Sequence, residues 1–191
     1  GQHRGGLVRV RAVTDRLRQR LRRPEPQFQA LAVDELLDQL ALLVRPEFQA
    51  RGARLEVRVP RDLPWVTGEA VHLQQVFLNV FSNAIHAMKT AHGHGVLTIT
   101  SGQRGSEVVV EIDDDGPGIA SEHLGRIFDP FFTTKDASAG TGLGLSLAIG
   151  IVGAHGGQMF VENLPGAGAR FTVRLPVGAT IEATASLDPR P

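Results

Sequence analysis

The sequence predicts an α+β protein, a two-layer sandwich of helices on a mixed sheet with an N-terminal helix attached. Helical and strand periodicities alternate irregularly along the chain instead of repeating as β-α-β units. Several strand pairs are joined only by short glycine-containing turns, which favours antiparallel hairpins. At 191 residues the chain suits one domain of about 150 residues plus an appendage, enough to bury a sizeable core. The domain reading is residues 1–26 as helix and hinge, 27–177 as the folded domain and 178–191 as a flexible tail.

The first 23 residues hold eight arginines and Asp15, a net of +7, so the remainder sums to −7 in a chain of formal charge zero. Leu7, Val10, Thr14, Leu17 and Leu21 recur at three- and four-residue steps, a stripe suited to packing on another helix. That reading is preferred over a nucleic-acid arm, so no nucleic-acid partner is expected. Pro24 and Pro26 end the helix.

Phe28 to Val33 reads as a short strand. Asp34 can cap the next helix, with Leu36, Leu37, Leu40 and Leu43 as its buried stripe. Pro46 is expected to bend or interrupt that helix before Gly52 closes it. Leu55, Val57 and Val59 alternate as a half-buried strand. From Glu69 to Ala91 a long helix sets Leu73, Phe77, Val80, Ala84 and Ala87 on one face. Val96–Thr100 and Glu107–Ile112 follow as strands, then an apolar helix near Leu143–Ala154. Gln158–Asn163 and Ala169–Leu175 form a final hairpin.

No apolar run approaches the roughly 20 residues that span a bilayer, and no secretory signal opens the chain, so a cytoplasmic location is expected for this domain, with a membrane anchor on the full-length protein left open. Cysteine is absent, which excludes disulfides and thiolate metal sites.

Four segments carry chemistry. Asn79 and Asn83 lie one turn apart on the long helix, with Gln75 and His86 extending the polar stripe. Two asparagines inside an apolar helix either bridge to neighbouring backbone or offer amide oxygens to a hard cation such as Mg²⁺. Asp113-Asp114-Asp115-Gly116-Pro117-Gly118 ends a strand, where an acid can accept from an exocyclic amine and glycine lets a flat ring approach. Adjacent carboxylates repel one another, and a cation or a purine amine would relieve that. Phe128 to Lys135 places three phenylalanines beside a lysine, which is core packing or, ahead of the glycine run, the hinge of a mobile lid. Gly140-Thr141-Gly142-Leu143-Gly144-Leu145 opens directly into a helix, where backbone N–H groups and the helix dipole can cradle phosphates. It is neither a P-loop nor a dinucleotide fingerprint.

Taken together, Asn79–Asn83, Asp114–Gly118, Phe128–Phe132, Gly140–Gly144 and Gly166–Gly168 resemble the N, G and F boxes of sensor histidine kinases. Their catalytic domain has the Bergerat ATP-binding fold of gyrase, Hsp90, histidine kinases and MutL, a mixed sheet covered on one face by helices. The wording around Asn83-Ala84-Ile85-His86-Ala87-Met88 and Phe131-Phe132-Thr133-Thr134-Lys135 is most similar to the nitrogen-regulation and dicarboxylate-transport type. The resemblance implies ATP and Mg²⁺ as cofactors, with Asn83 on the metal and Asn79, Asn83 and Lys135 as catalytic residues. Asp114 would take the adenine amine beside Gly116, Gly118 and Ile119. His86, Ala87, Phe131, Thr141, Gly142, Leu143, Gly144 and Leu145 would complete the nucleotide site.

Relatives that hydrolyse ATP carry a glutamate where Asn79 stands, and an amide cannot serve as a base, so the pattern suits a kinase. His86 occupies a position where many members carry a lysine, and it reads equally as a surface histidine. The implied partners are a histidine-bearing dimerisation hairpin, a second copy of the full-length protein and, through the phosphohistidine, a response regulator. Only something like the second hairpin helix is visible in residues 5–22, and His3, His92, His94 and His155 sit in poor contexts for a phosphoacceptor. Rival readings are an ATPase motor, a serine protein kinase on the same fold, and a nucleotide-sensing pseudokinase.

Overall fold

The computed structural model describes residues 28–135, 141–166 and 168–178. The predicted N-terminal helix, its hinge at 24–26 and the tail from residue 179 lie outside the described residues.

Strand β1 (Gln29–Leu31) leads into helix α1 (Val33–Ala50) and strand β2 (Ala53–Arg58). Strand β3 (Val66–Gly68) precedes the long helix α2 (Ala70–His92). Strands β4 (Gly95–Arg104) and β5 (Glu107–Asp114) follow, then the single turn α3 (Ser121–Leu124), helix α4 (Gly144–Ala154) and strands β6 (Gln158–Asn163) and β7 (Ala169–Pro176). The main sheet has the order β2-β4-β5-β7-β6; only β2 and β4 run parallel, and the other neighbours are antiparallel. A parallel pair needs a long crossover, and β3 with α2 supplies it. Strands β1 and β3 form a separate two-stranded antiparallel sheet.

Alternation decides which face is covered. Leu97 and Ile99 of β4, Val108, Val110 and Ile112 of β5, and Phe171, Val173 and Leu175 of β7 are all buried. They meet Leu73, Phe77, Val80, Phe81, Ala84 and Met88 of α2 in one core. Each such side chain stabilises the fold by about 1.5–3 kcal/mol relative to exposure. The other face holds cross-strand polar pairs, including Arg170 of β7 opposite Asp113 of β5. The expected α+β sandwich, covered by helices on one face, is what forms.

Several local expectations are corrected. The N-cap of α1 is Ala32, without a side-chain hydrogen bond, and Asp34 lies inside the first turn. There it contributes charge beside the positive end of the helix dipole. Leu43 is exposed, at 69%, and Val44 and Phe48 take its place in the buried stripe, because 3.6-residue spacing carries the face from Leu40 to Val44. Pro46 stays inside α1 and does not interrupt it. It and Leu42, whose carbonyl would have received its missing N–H, both lie on the exposed side, where water can serve that carbonyl. Strand β3 was not legible because three residues carry no readable period.

A buried histidine ties together the two helices that frame the site. His155, buried at the end of α4, donates from Nδ1 to the Ile151 carbonyl at 2.8 Å and accepts at Nε2 from the Glu69 N–H at 3.1 Å. The second bond fixes the tautomer, since Nε2 must carry the lone pair. It links the end of α4 to the N-cap of α2.

Candidate functional site

Helix α2 forms one wall of a cavity of about 840 Å³, which is large enough for a nucleotide-sized ligand. Asn79, Asn83, His86 and Ala87 all line it. From Asn79 to Ala87 the helix rises about 12 Å. The Asn79 end faces the start of α4, where the side-chain Nδ2 donates to the Gly144 carbonyl at 2.8 Å. Its Oδ1 accepts from Gln75 Nε2 at 2.9 Å. Asn79 therefore positions the N-terminus of α4, so the backbone-bridging alternative holds for this asparagine.

Asn83 is different. Its Oδ1 accepts from the Lys135 ammonium at 3.0 Å, so a cation already sits on that oxygen. Burial holds the Lys135 amine below its ordinary pKa. His86 is held below its ordinary value too, first by burial and then by the charges of Lys135, Lys89 and Arg51.

At the Ala87 end, the three aspartates divide the work. Asp113 accepts both Arg170 Nε at 2.7 Å and Arg170 Nη2 at 2.6 Å, a bidentate pair on the open face of the sheet. Asp115 Oδ1 accepts the Val96 N–H at 2.8 Å. Strand alternation turns Asp114 inward, where it is 5% exposed and lines the cavity. Its Oδ1 accepts from the N–H groups of Gly116 at 3.0 Å and Ala169 at 3.4 Å. Burial raises the Asp114 pKa, those two N–H groups oppose the rise, and the charges of Asp115 and Asp113 add to it. The expected mutual repulsion is thus answered mainly by Arg170 and backbone donors.

Two glycines are dictated by close approach. Gly168 has φ +96°, and a Cβ there would overlap the Asp114 carbonyl oxygen. Gly142 has φ +66° and would drive a Cβ into the backbone of Phe131. Phe131 itself has φ +67°, which is strained for a bulky residue, and its N–H donates to the Gly142 carbonyl at 2.9 Å.

Gly118, Ile119, Thr141, Gly142, Gly144, Leu145 and Lys135 also line the cavity, as expected. Three assigned residues stand elsewhere. Phe131 is 74% exposed and outside the cavity wall, and Phe132 lines it instead, because the left-handed turn at Phe131 reverses which ring points inward. Gly116 lies behind Asp114 and supports its Oδ1. Leu143 is the partly exposed N-cap residue of α4, its carbonyl accepting from Ser146 Oγ at 3.0 Å.

Sequence reasoning missed Asn163. Its Oδ1 accepts the Ile119 N–H at 2.8 Å and its Nδ2 donates to the Ile119 carbonyl at 2.7 Å, clasping the loop after Gly118. The signal was available, since an asparagine ends β6 next to a tight turn. Phe132 was also passed over; His123 meets its edge at 5.3 Å and the Arg126 guanidinium lies 4.9 Å from its ring centre.

Among the described residues no cluster of three His, Cys, Asp or Glu could hold a metal alone. A cation at Asn83 therefore needs further oxygens from a ligand and water, the habit of Mg²⁺ with nucleotide phosphates.

Residues 68–179 match the family described as histidine kinase-, DNA gyrase B-, and HSP90-like ATPase. The sensor histidine kinase ZraS of Escherichia coli O157:H7 is 40% identical over 152 residues, 80% of this chain and 32% of that protein. The C4-dicarboxylate transport sensor protein DctS of Rhodobacter capsulatus is 33% identical over 175 residues, 91% of this chain and 26% of that protein. The chain thus spans about a third or less of the length of these relatives. Among solved structures, the catalytic domain of histidine kinase ThkA superposes with a TM-score of 0.71 at 30% identity, covering 80% of this chain and 97% of that one. Full-length ShkA in complex with AMPPNP gives 0.70 at 28% identity, covering 81% and 32%.

Proposed function

This chain belongs to the histidine kinase-, DNA gyrase B-, and HSP90-like ATPase family, and on that premise we propose that it binds Mg-ATP and transfers the γ-phosphoryl to a histidine on a dimerisation hairpin. The observation that carries this reading is the cavity with a buried carboxylate at one end of α2 and a glycine-bounded helix start at the other. That span suits a purine joined through a ribose to a phosphate chain. Asp114 accepts from the adenine amine through Oδ2, since both of its backbone bonds fall on Oδ1. Gly118, at φ +76°, brings the loop close against Asn163, where a Cβ would meet Oδ1 at 3.0 Å, and so sets the cavity wall beside the ring.

At the other end the α4 N-terminus receives the phosphates, and Asn79 holds it in place through Gly144. Asn83 is the residue to hold Mg²⁺, which when bound neutralises phosphate charge and orients the chain of phosphates. Lys135 meets the γ-phosphoryl. Asn79 cannot deprotonate water, which favours transfer to a side chain over hydrolysis. The catalytic contribution is therefore positioning and electrostatics, and the acceptor's nucleophile comes from the partner hairpin. In the full-length protein the expected setting is a homodimer that passes the phosphoryl to a response regulator.

Calorimetry with Mg-ADP and Mg-ATP tests the site. Asn83→Ala and Asp114→Ala are each expected to abolish measurable binding while the circular dichroism spectrum is retained. Unchanged affinity in both would sink the assignment. Mixing the chain with a histidine-bearing hairpin and labelled ATP should give an acid-labile, base-stable label on the hairpin. Sustained phosphate release without labelling would favour an ATPase.

A further inference from the structure

The contact between Lys135 and Asn83 has a meaning beyond γ-phosphate recognition. The Lys135 ammonium, half-buried, lies 3.0 Å from Asn83 Oδ1. That oxygen is the one the proposed function gives to the metal, and the inference rests on that reading. A magnesium ligand stands about 2.1 Å from the ion, so ammonium and Mg²⁺ on one amide oxygen would be neighbouring cations at a few ångströms. They cannot share it at low cost.

Among the described residues, the other charges facing this place do not relieve the conflict. His86 is uncharged or positive, never negative, and Asp114, the acid in the cavity wall, is held beside Gly116 and Ala169 at the far end of α2. Asn79, one turn earlier, has its amide engaged by Gln75 and Gly144.

We propose that Lys135 is a placeholder for the metal: its ammonium holds Asn83 Oδ1, and entry of the magnesium–nucleotide complex must expel it. The lysine keeps the amide of Asn83 oriented with oxygen toward the phosphates. Once expelled, it is released to the negative charge of the nucleotide, so metal loading and delivery of Lys135 to the phosphates are one event. A nucleotide arriving without metal finds the lysine still in position as a substitute cation.

The readout is the ratio of ADP affinity with excess Mg²⁺ to ADP affinity with EDTA, measured by calorimetry on the intact chain. ADP is used because it lacks the γ-phosphoryl that Lys135 would otherwise contact. In Lys135→Met the substitute cation is lost without metal and the competitor is lost with it. The ratio should therefore rise by about tenfold, the scale of a charge-assisted hydrogen bond. Lys135→Gln, which keeps a polar head without charge, should raise it likewise. In an Asn83→Asp background, where a carboxylate can hold both cations, the Lys135→Met change should shrink to within about threefold. A ratio unchanged in both lysine variants, with ADP still binding, would overturn the placeholder role and leave the site reading intact. Absence of any ADP binding by the unsubstituted chain would instead overturn the site reading.

Discussion

Replacing Asp114 with asparagine separates recognition from folding, because the two effects carry opposite signs. The backbone N–H groups of Gly116 and Ala169 both point at Oδ1. They force the asparagine oxygen into that position, and its NH₂ into the place of Oδ2. An adenine amine then meets a donor where it needs an acceptor. The loss of one hydrogen bond to a charged group is about 1.5–3 kcal/mol, or roughly 10- to 150-fold in affinity. A 6-oxo purine presents an acceptor instead, so inosine diphosphate should gain relative to adenosine diphosphate. Stability moves the other way. A carboxyl whose folded pKa is raised binds more protons folded than unfolded, so the stability of the domain without nucleotide added falls as pH rises through the window from about 3.9 up to the raised value. Asparagine removes that term, and urea midpoints should become flatter across this window and higher at pH 7. Binding to the unsubstituted chain has the reverse slope, since adenine needs the ionised acid. Calorimetry at pH 7 with both diphosphates decides the matter. ADP affinity within threefold of the unsubstituted value, with no change in the inosine-to-adenosine ratio, would refute the assigned contact.

Two further outcomes follow from the same geometry. Nucleotide phosphates near His86 should lift its pKa from its lowered value, so the His86 imidazole signal followed by NMR should titrate at higher pH with Mg-ADP than without; a titration that does not move would remove His86 from the site. Gly168→Ala must displace the Asp114 carbonyl and also adopt φ +96°, so it should lose ADP binding and lower the thermal midpoint by several degrees; a variant that binds as well as the unsubstituted chain would show that the Asp114 loop is not held by this close approach.

The parts of the fold that were legible are those whose period is sampled many times. Helix α2 repeats its apolar face through 23 residues, and the β6–β7 hairpin brackets its own turn. Strand β3 is three residues long, and its pairing partner β1 is more than thirty residues away, so nothing local announces it. The position of Leu43 failed because three leucines, an alanine and a valine crowd 40–44, and only the packing of α1 decides which row faces in. At the site, backbone motifs were legible, while side-chain partners from distant strands were not. Asn163 and Ile119 are 44 positions apart, and Arg170 and Asp113 are 57 apart.

The three consecutive aspartates show why residue type alone could not have finished the argument. Strand alternation sends Asp113 and Asp114 to opposite faces, and the chain leaves the ladder at Asp115. Each then finds a different partner: a guanidinium for the first, the cavity for the second, an N–H at the start of β4 for the third. The paired neighbours matter to the middle one. The charge of Asp113 raises the Asp114 pKa, and the Arg170 guanidinium paired with Asp113 carries the opposite charge beside it. The ion pair on the open face of the sheet would therefore support the adenine contact proposed for the covered face, through the electrostatics of one strand.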